Sequence, residues 1–151
     1  MKSVADLCTI FGRVALASLF VLGGLNKLLH YSTTLAAMEA VGLPASMALL
    51  PLVIALELLG GLLVMGGGAR ALPPALLLAI FTLVVNVVFH DFWNMEGQLA
   101  ALERSLFFKN VSIAGGLLLC AATVWSVPRG AARHVAADRS TPAGPTLSGK
   151  R

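Results

Sequence analysis

Four apolar stretches of about 20 residues each, at positions 7–29, 45–65, 72–89 and 106–125, leave this chain few ways to fold. Twenty apolar residues in a helix cover the hydrocarbon thickness of a bilayer. In lipid every backbone N–H and C=O must be satisfied within the segment, so stretches of this length are predicted to be transmembrane helices. Composition agrees: 58% of residues are hydrophobic and 12% charged, with a mean hydropathy of +0.87. Soluble domains are about 25% charged. The expected fold class is therefore all-α: one four-transmembrane-helix bundle, with no room for a separate catalytic module.

Polar residues inside the spans identify the functional candidates. They are Arg13, Asn26, Lys27, Glu57, Asn86, His90, Lys109 and Asn110. Such groups are costly in hydrocarbon, so they are expected to face other helices and to mark sites of function.

The net charge of +4 is a topology signal and not a nucleic-acid footprint. Lys2, Arg70 and the terminal group Arg129, Arg133, Arg139, Lys150 and Arg151 all fall on one side of a four-span bundle. Positions 30–44 contain Glu39 and no Lys or Arg, while 91–104 hold Asp91, Glu96, Glu103 and Arg104. Lys and Arg are enriched in cytoplasmic loops, which places both termini in the cytoplasm and the His90–Asp91 end outside. The first apolar block exceeds the usual 7–15-residue signal-peptide core and precedes no small-x-small cleavage site, so it reads as a retained span. No lipidation motif is present. The bundle is expected over 1–127, and a disordered, basic cytoplasmic tail over 128–151, where Pro, Gly, Ala, Ser and Arg dominate.

Local signals add detail. Ser3 or Asp6 suits the cap of the first helix, and Gly23 and Gly24 allow close approach of a neighbour. Positions 33–41 read as a short interfacial helix, capped by Ser32 or Thr33 and stopped at Gly42 before Pro44. Pro51 falls in the first turns of the second span, where it can kink the helix. Pro73 and Pro74 fit the first turn of the third.

Two polar constellations emerge. Counted at 1.5 Å per residue from the cytoplasmic ends of their blocks, Arg13 lies roughly 9 Å deep and Glu57 roughly 12 Å deep. An interior carboxylate must be paired or protonated, and the favoured reading is a structural Arg13–Glu57 ion pair. The alternative is a proton-relay or quinone-contacting role for Glu57. The second constellation lies near the outer boundary. Asn86 and His90 share a helix face, and Lys27, Asp91, Trp93, Lys109 and Asn110 fall at similar depth. They form either a ligand pocket or a set of snorkelling lysines and interfacial tryptophans. Within a pocket, His90 is the group most suited to titrate near neutral pH.

Metal and thiol chemistry have little support. His30, His90 and His134 show no i, i+4 pairing, and no metal site is expected. Cys8 and Cys120 lack a C-x-x-C spacing and read as small hydrophobes.

Five segments together resemble DoxX-family membrane proteins: positions 12–28 (GRVALASLFVLGGLNKL), 38–44 (MEAVGLP), 55–61 (ALELLGG), 89–93 (FHDFW) and 107–116 (FFKNVSIAGG). The likeness runs over about 11–125, and the last two motifs are the most distinctive. It implies four transmembrane helices in the bacterial inner membrane, and a link to electron transfer through a related subunit of a thiosulfate:quinone oxidoreductase. The family's polar residues match Arg13, Lys27, Glu57, His90, Asp91, Trp93, Lys109 and Asn110; the extended basic tail departs from the pattern. The resulting expectation is a subunit or accessory of a quinone-linked redox system. Its partners would be the lipid bilayer, a redox protein and a second copy of itself, with no nucleic acid. His90 and Asp91 are assigned as catalytic, with His90 or Lys109 bonding the quinone oxygens and Asp91 accepting the proton. Lys27, Asn86, Trp93, Lys109 and Asn110 are assigned as ligand-binding. The alternative is a non-catalytic scaffold, or a binder or carrier of a small lipophile.

Overall fold

The computed structural model describes residues 3–125, which form five helices joined by short links; the basic tail lies outside them. Helix α1 is Val4–Leu29, α2 Tyr31–Ala40, α3 Ser46–Gly66, α4 Leu72–Phe89 and α5 Gly97–Trp125. No strand occurs among the described residues. Four of the helices, all but α2, are long and apolar enough to cross a membrane. They run alternately up and down, so Val4, the α3–α4 link and Trp125 share one end, here the terminal side. The α1–α2–α3 and α4–α5 connections share the other, the loop side.

The caps follow from the sequence. Ser3 and Asp6 act together at the start of α1: Asp6 N–H donates to Ser3 Oγ at 3.2 Å, and Ser3 N–H donates to Asp6 Oδ2 at 2.9 Å. This reciprocal box satisfies two amide donors of the first turn. Helix α2 starts two residues before the expected position, with His30 at its cap and neither Ser32 nor Thr33 capping by side chain. Its end is as expected. Gly42 takes a φ of +74°, Gly42 N–H donates to Glu39 O, and Leu43 N–H to Met38 O. This is the six-to-one closure that a left-handed residue permits. Leu43 then packs with Met38, Leu50 and Ile54, which docks α2 onto α3. Pro73 and Pro74 occupy the first turn of α4.

The largest departure is at α5, which begins nine residues before the apolar block. Gln98, Ala100, Ala101, Leu102, Glu103 and Arg104 are strong helix formers. They continue the helix past the apolar region, where a mixed loop was expected. At 29 residues α5 is about 43 Å long, more than the hydrocarbon core requires.

Helix α1 packs chiefly on α3, and α4 chiefly on α5, while α1 and α5 touch lightly. The core uses small residues: Ala17, Ala75, Ala79, Ala114 and Ala121 surround Leu78, Leu117 and Val64. Without a hydrophobic force between helices in lipid, close approach of small residues supplies the contact. Leu22, Leu59, Ile80, Val84 and Leu119 point outward to lipid. The α1–α3 crossing is tightest at two glycines. A Cβ on Gly24 would stand 2.9 Å from Leu58 Cγ, and one on Gly61 2.9 Å from Val21 Cγ2 and 3.2 Å from the Ala17 carbonyl oxygen.

A methyl group at Gly61 must therefore push two backbones apart. Gly61→Ala is expected to lower stability by about 1–3 kcal/mol, as overpacking does. Gly115→Ala meets nothing within 4 Å and should be neutral or stabilising. Thermal denaturation of the two variants in detergent micelles makes the comparison. Equal midpoints would show that the helices do not meet at Gly61.

Candidate functional site

The glycine contacts fix the register of α1 against α3, and the register decides which charges meet. Gly23 and Gly24 lie level with Glu57 and Leu58. Lys27 is one turn beyond Gly23 toward the loop side. Long helical side chains lean back toward the helix N-terminus, over the residue four positions earlier. For Lys27 that direction is inward, across Gly23. Its Nζ reaches both carboxylate oxygens of Glu57, at 2.9 Å and 2.8 Å. A Cβ at Gly23 would stand 3.5 Å from Glu57 Oε2 and 3.7 Å from Lys27 Nζ, so the pair lies directly over this glycine. The Glu57 side chain is 7% exposed and that of Lys27 29%.

The expected Arg13–Glu57 pair is thus corrected. Arg13 lies level with the end of α3, where its Nε donates to the Met65 carbonyl at 3.3 Å. That carbonyl is one of the last four of the helix, which lack partners within it. Glu57 is eight residues further along α3, about 12 Å away on the axis. Counting depth from the ends of apolar blocks fails because α1 overhangs α3 on the terminal side. Arg13 is a C-terminal clamp on α3, and Lys27 is the partner of Glu57.

The Lys27–Glu57 pair forms a wall between two intramembrane chambers. The first, about 410 Å³, opens between α1 and α5 and contains Gly23, Lys27, Glu57, Thr82, Lys109 and Asn110 among its lining. It is the polar chamber. The second, about 440 Å³, lies between α2, α3 and α4. Apart from Lys27, Glu57, Thr34 and His90, its lining is apolar. The two share Lys27, Glu57, Phe81 and Val85. A shallow vestibule of about 470 Å³, with Asn26, His30, Thr33 and Thr34, reaches Lys27 from the loop side.

The outer constellation separates into three parts. Lys27, Lys109 and Asn110 come together in the polar chamber. Asn86 is buried and structural: its Nδ2 donates to Phe107 O at 3.1 Å, and its Oδ1 accepts from Asn110 Nδ2 at 3.0 Å. This chain ties α4 to α5. His90, Asp91 and Trp93 lie outside the polar chamber, because α4 ends at Phe89 and the chain turns over its top toward α5. His90 lines the far wall of the apolar chamber, with Nδ1 2.6 Å from Glu103 Oε2. Asp91 accepts from Asn94 Nδ2 at 3.1 Å in the turn and faces neither chamber. The carboxylate in contact with His90 is Glu103, and Asp91, expected as the proton acceptor of the same site, bonds Asn94 instead. Trp93 is half exposed and packs edge-on against Phe92 and Phe107, as an interfacial anchor does.

Sequence reasoning missed Glu103 as the partner of His90, because it placed Glu103 in a loop. It also misjudged Glu57, which stands at the junction of the two chambers. The signal for the second was present in Gly24 and Gly61, whose close packing on the facing helix sets the register. Among the described residues Lys109 forms no ion pair, so the polar chamber holds two ammonium groups against one carboxylate.

Removing one member of a buried pair strands the other and typically costs about 3–5 kcal/mol. Lys27→Met should approach the lower figure, since Lys27 is partly open, and the Lys27→Met/Glu57→Gln double variant should recover much of the loss. Arg13→Ala should add to either change without interaction, because it shares no partner with them. A thermal-stability cycle in micelles reads all of this. Coupling between Arg13 and Glu57 in place of Lys27 and Glu57 would overturn the assignment.

A family model for DoxX matches residues 8–91. The inner membrane protein YqjF of Escherichia coli (strain K12) is 38% identical over 123 residues, covering 82% of this chain and 88% of that protein. The inner membrane protein YphA of the same strain is 31% identical over 114 residues, covering 76% and 81%. No solved structure matches the chain.

Proposed function

The chain belongs to the DoxX family, and from that premise we propose that this small membrane protein binds a quinone headgroup in its polar chamber, as the membrane subunit of a redox system. The observation that carries the reading is the placement of two lysines, a glutamate and an asparagine around one cavity at membrane depth. A cavity of about 410 Å³ falls within the size range of small-molecule sites. Polar donors converging inside apolar walls are the usual means of orienting a ligand there.

In this reading Lys27 and Lys109, on opposite walls, donate to the two carbonyl oxygens of the headgroup. Asn110 is held by Asn86 and keeps the α5 wall in place. Glu57 holds the Lys27 ammonium in position and is the residue that takes or gives the proton at that oxygen. Interconversion of quinone and quinol moves two electrons and two protons. This chain handles protons and orientation, and a partner subunit carrying a redox centre exchanges the electrons. The vestibule between Lys27 and the loop-side surface is the path for the protons.

In this reading the protein lies in the inner membrane with both termini cytoplasmic; the names of its relatives support the first and the Lys/Arg bias supports the second. The loop side and the vestibule then face the periplasm. A reporter active only in the periplasm, fused after Arg151, should be silent, and a bright signal would reverse the arrangement.

Binding of a short-chain quinone to the protein in lipid nanodiscs tests the main reading. Hydrogen bonds to charged groups contribute about 1.5–3 kcal/mol, so Lys109→Leu should weaken binding at least about tenfold at unchanged membrane level. Absence of quinone binding to the natural protein would sink the reading. Binding with no effect on turnover of any partner would favour the alternative, a binder or carrier of a small lipophile.

A further inference from the structure

The apolar chamber has no part in the headgroup reading above, yet it meets the polar chamber at Lys27 and Glu57. From this junction we propose that the two chambers are one site for an amphiphile, with the chain attached to the headgroup held between α2, α3 and α4. The inference rests on the headgroup reading and extends it to the ligand class: a quinone bearing a long apolar tail, with the tail contributing to recognition.

Two features carry the argument. The chamber wall is apolar along most of α3 and α4, with Leu50, Val53, Val84 and Val88 among its lining; Lys27 and Glu57 form the charged wall shared with the first chamber, and Thr34 and His90 add polar groups elsewhere on the lining. A cavity that was only a packing defect would have no reason to grade from hydrocarbon to charge at the wall it shares with a polar pocket. The chamber also has a lateral boundary with the bilayer, since Leu49 and Val84 line it and are themselves exposed toward lipid. A tail longer than the chamber can leave there without crossing a polar surface. Short α2 forms the outer wall through Thr34, Ala37 and Met38. It is held by Met38 and Leu43 against α3, so its docking completes the tail compartment.

The proposal separates cleanly from the headgroup reading. Ala37 lies on the exposed side of α2 and lines the apolar chamber and the edge of the vestibule but not the polar chamber that holds the headgroup, so headgroup binding is the readout it leaves alone. Ala37→Trp fills the tail compartment without touching the four-span core. Two probes with the same quinone ring, one with a short tail and one with a tail of several isoprene units, are bound to natural and variant protein in nanodiscs of one lipid composition. Their ratio between the two proteins cancels partitioning into the bilayer. Ala37→Trp is expected to weaken the long-tailed probe at least about tenfold and leave the short-tailed one unchanged. Val88→Phe, which enters the chamber from α4, should reproduce the pattern. If both probes bind alike to natural and variant protein, the tail compartment is wrong and the headgroup reading survives. If neither probe binds the natural protein, both fail together.

Discussion

Close approach of α1 and α3, at Gly24 against Leu58 and at Gly61 against Val21 and Ala17, governs the rest of this structure. It brings the backbones close enough to set a single register, and that register puts Glu57 level with Gly23. A carboxylate at this depth is unfavourable in lipid by several kcal/mol unless it is partnered. Lys27 supplies the partner because its side chain leans back along its own helix, over the one residue that leaves it space. Every later feature, from the wall between the chambers to the vestibule that ends at Lys27, depends on where that pair comes to rest.

The polar groups of the loop-side half divide into two kinds by satisfaction. Asn86 uses both of its amide atoms, Nδ2 on the Phe107 carbonyl and Oδ1 on Asn110 Nδ2, and such networks fix packing between helices. Thr82 and Ser46 return their hydroxyls to nearby backbone carbonyls. Lys109 is different: it lines the cavity with no ion pair among the described residues. A cation without an ion pair, with space in front of it, is the feature on which the proposed binding site rests.

Much of the fold was legible in the sequence because its signals are one-dimensional. Apolar length located the four spans, Pro73 and Pro74 marked a helix start, and Gly42 marked a stop. The start of α5 was not legible from hydropathy, since residues 97–105 leave the bilayer while remaining good helix formers. The site was half legible. The residue types and approximate depths that bring Lys27, Lys109 and Asn110 together could be read directly. The pairing of Glu57 could not be read by counting from span ends, because helices of unequal length overhang one another. Arg13 and Glu57 looked level on that count and are about two turns apart in the packed register. Asp91 and Trp93 sit beside His90 in sequence, but one turn of chain past the end of α4 carries them to the surface.

The division of the bundle into α1 with α3 and α4 with α5 bears on how the chain is made. Both charges of the buried pair belong to the first helical hairpin, so Glu57 has its counter-ion as soon as the second span enters the membrane. The first half can therefore settle in lipid before the second has been synthesised. The later hairpin brings Lys109 and Asn110 against an already neutralised surface. Its light contact with α1 leaves the seam between the halves as the chamber mouth. The mouth of the polar chamber thus lies along the line where the two helical hairpins meet.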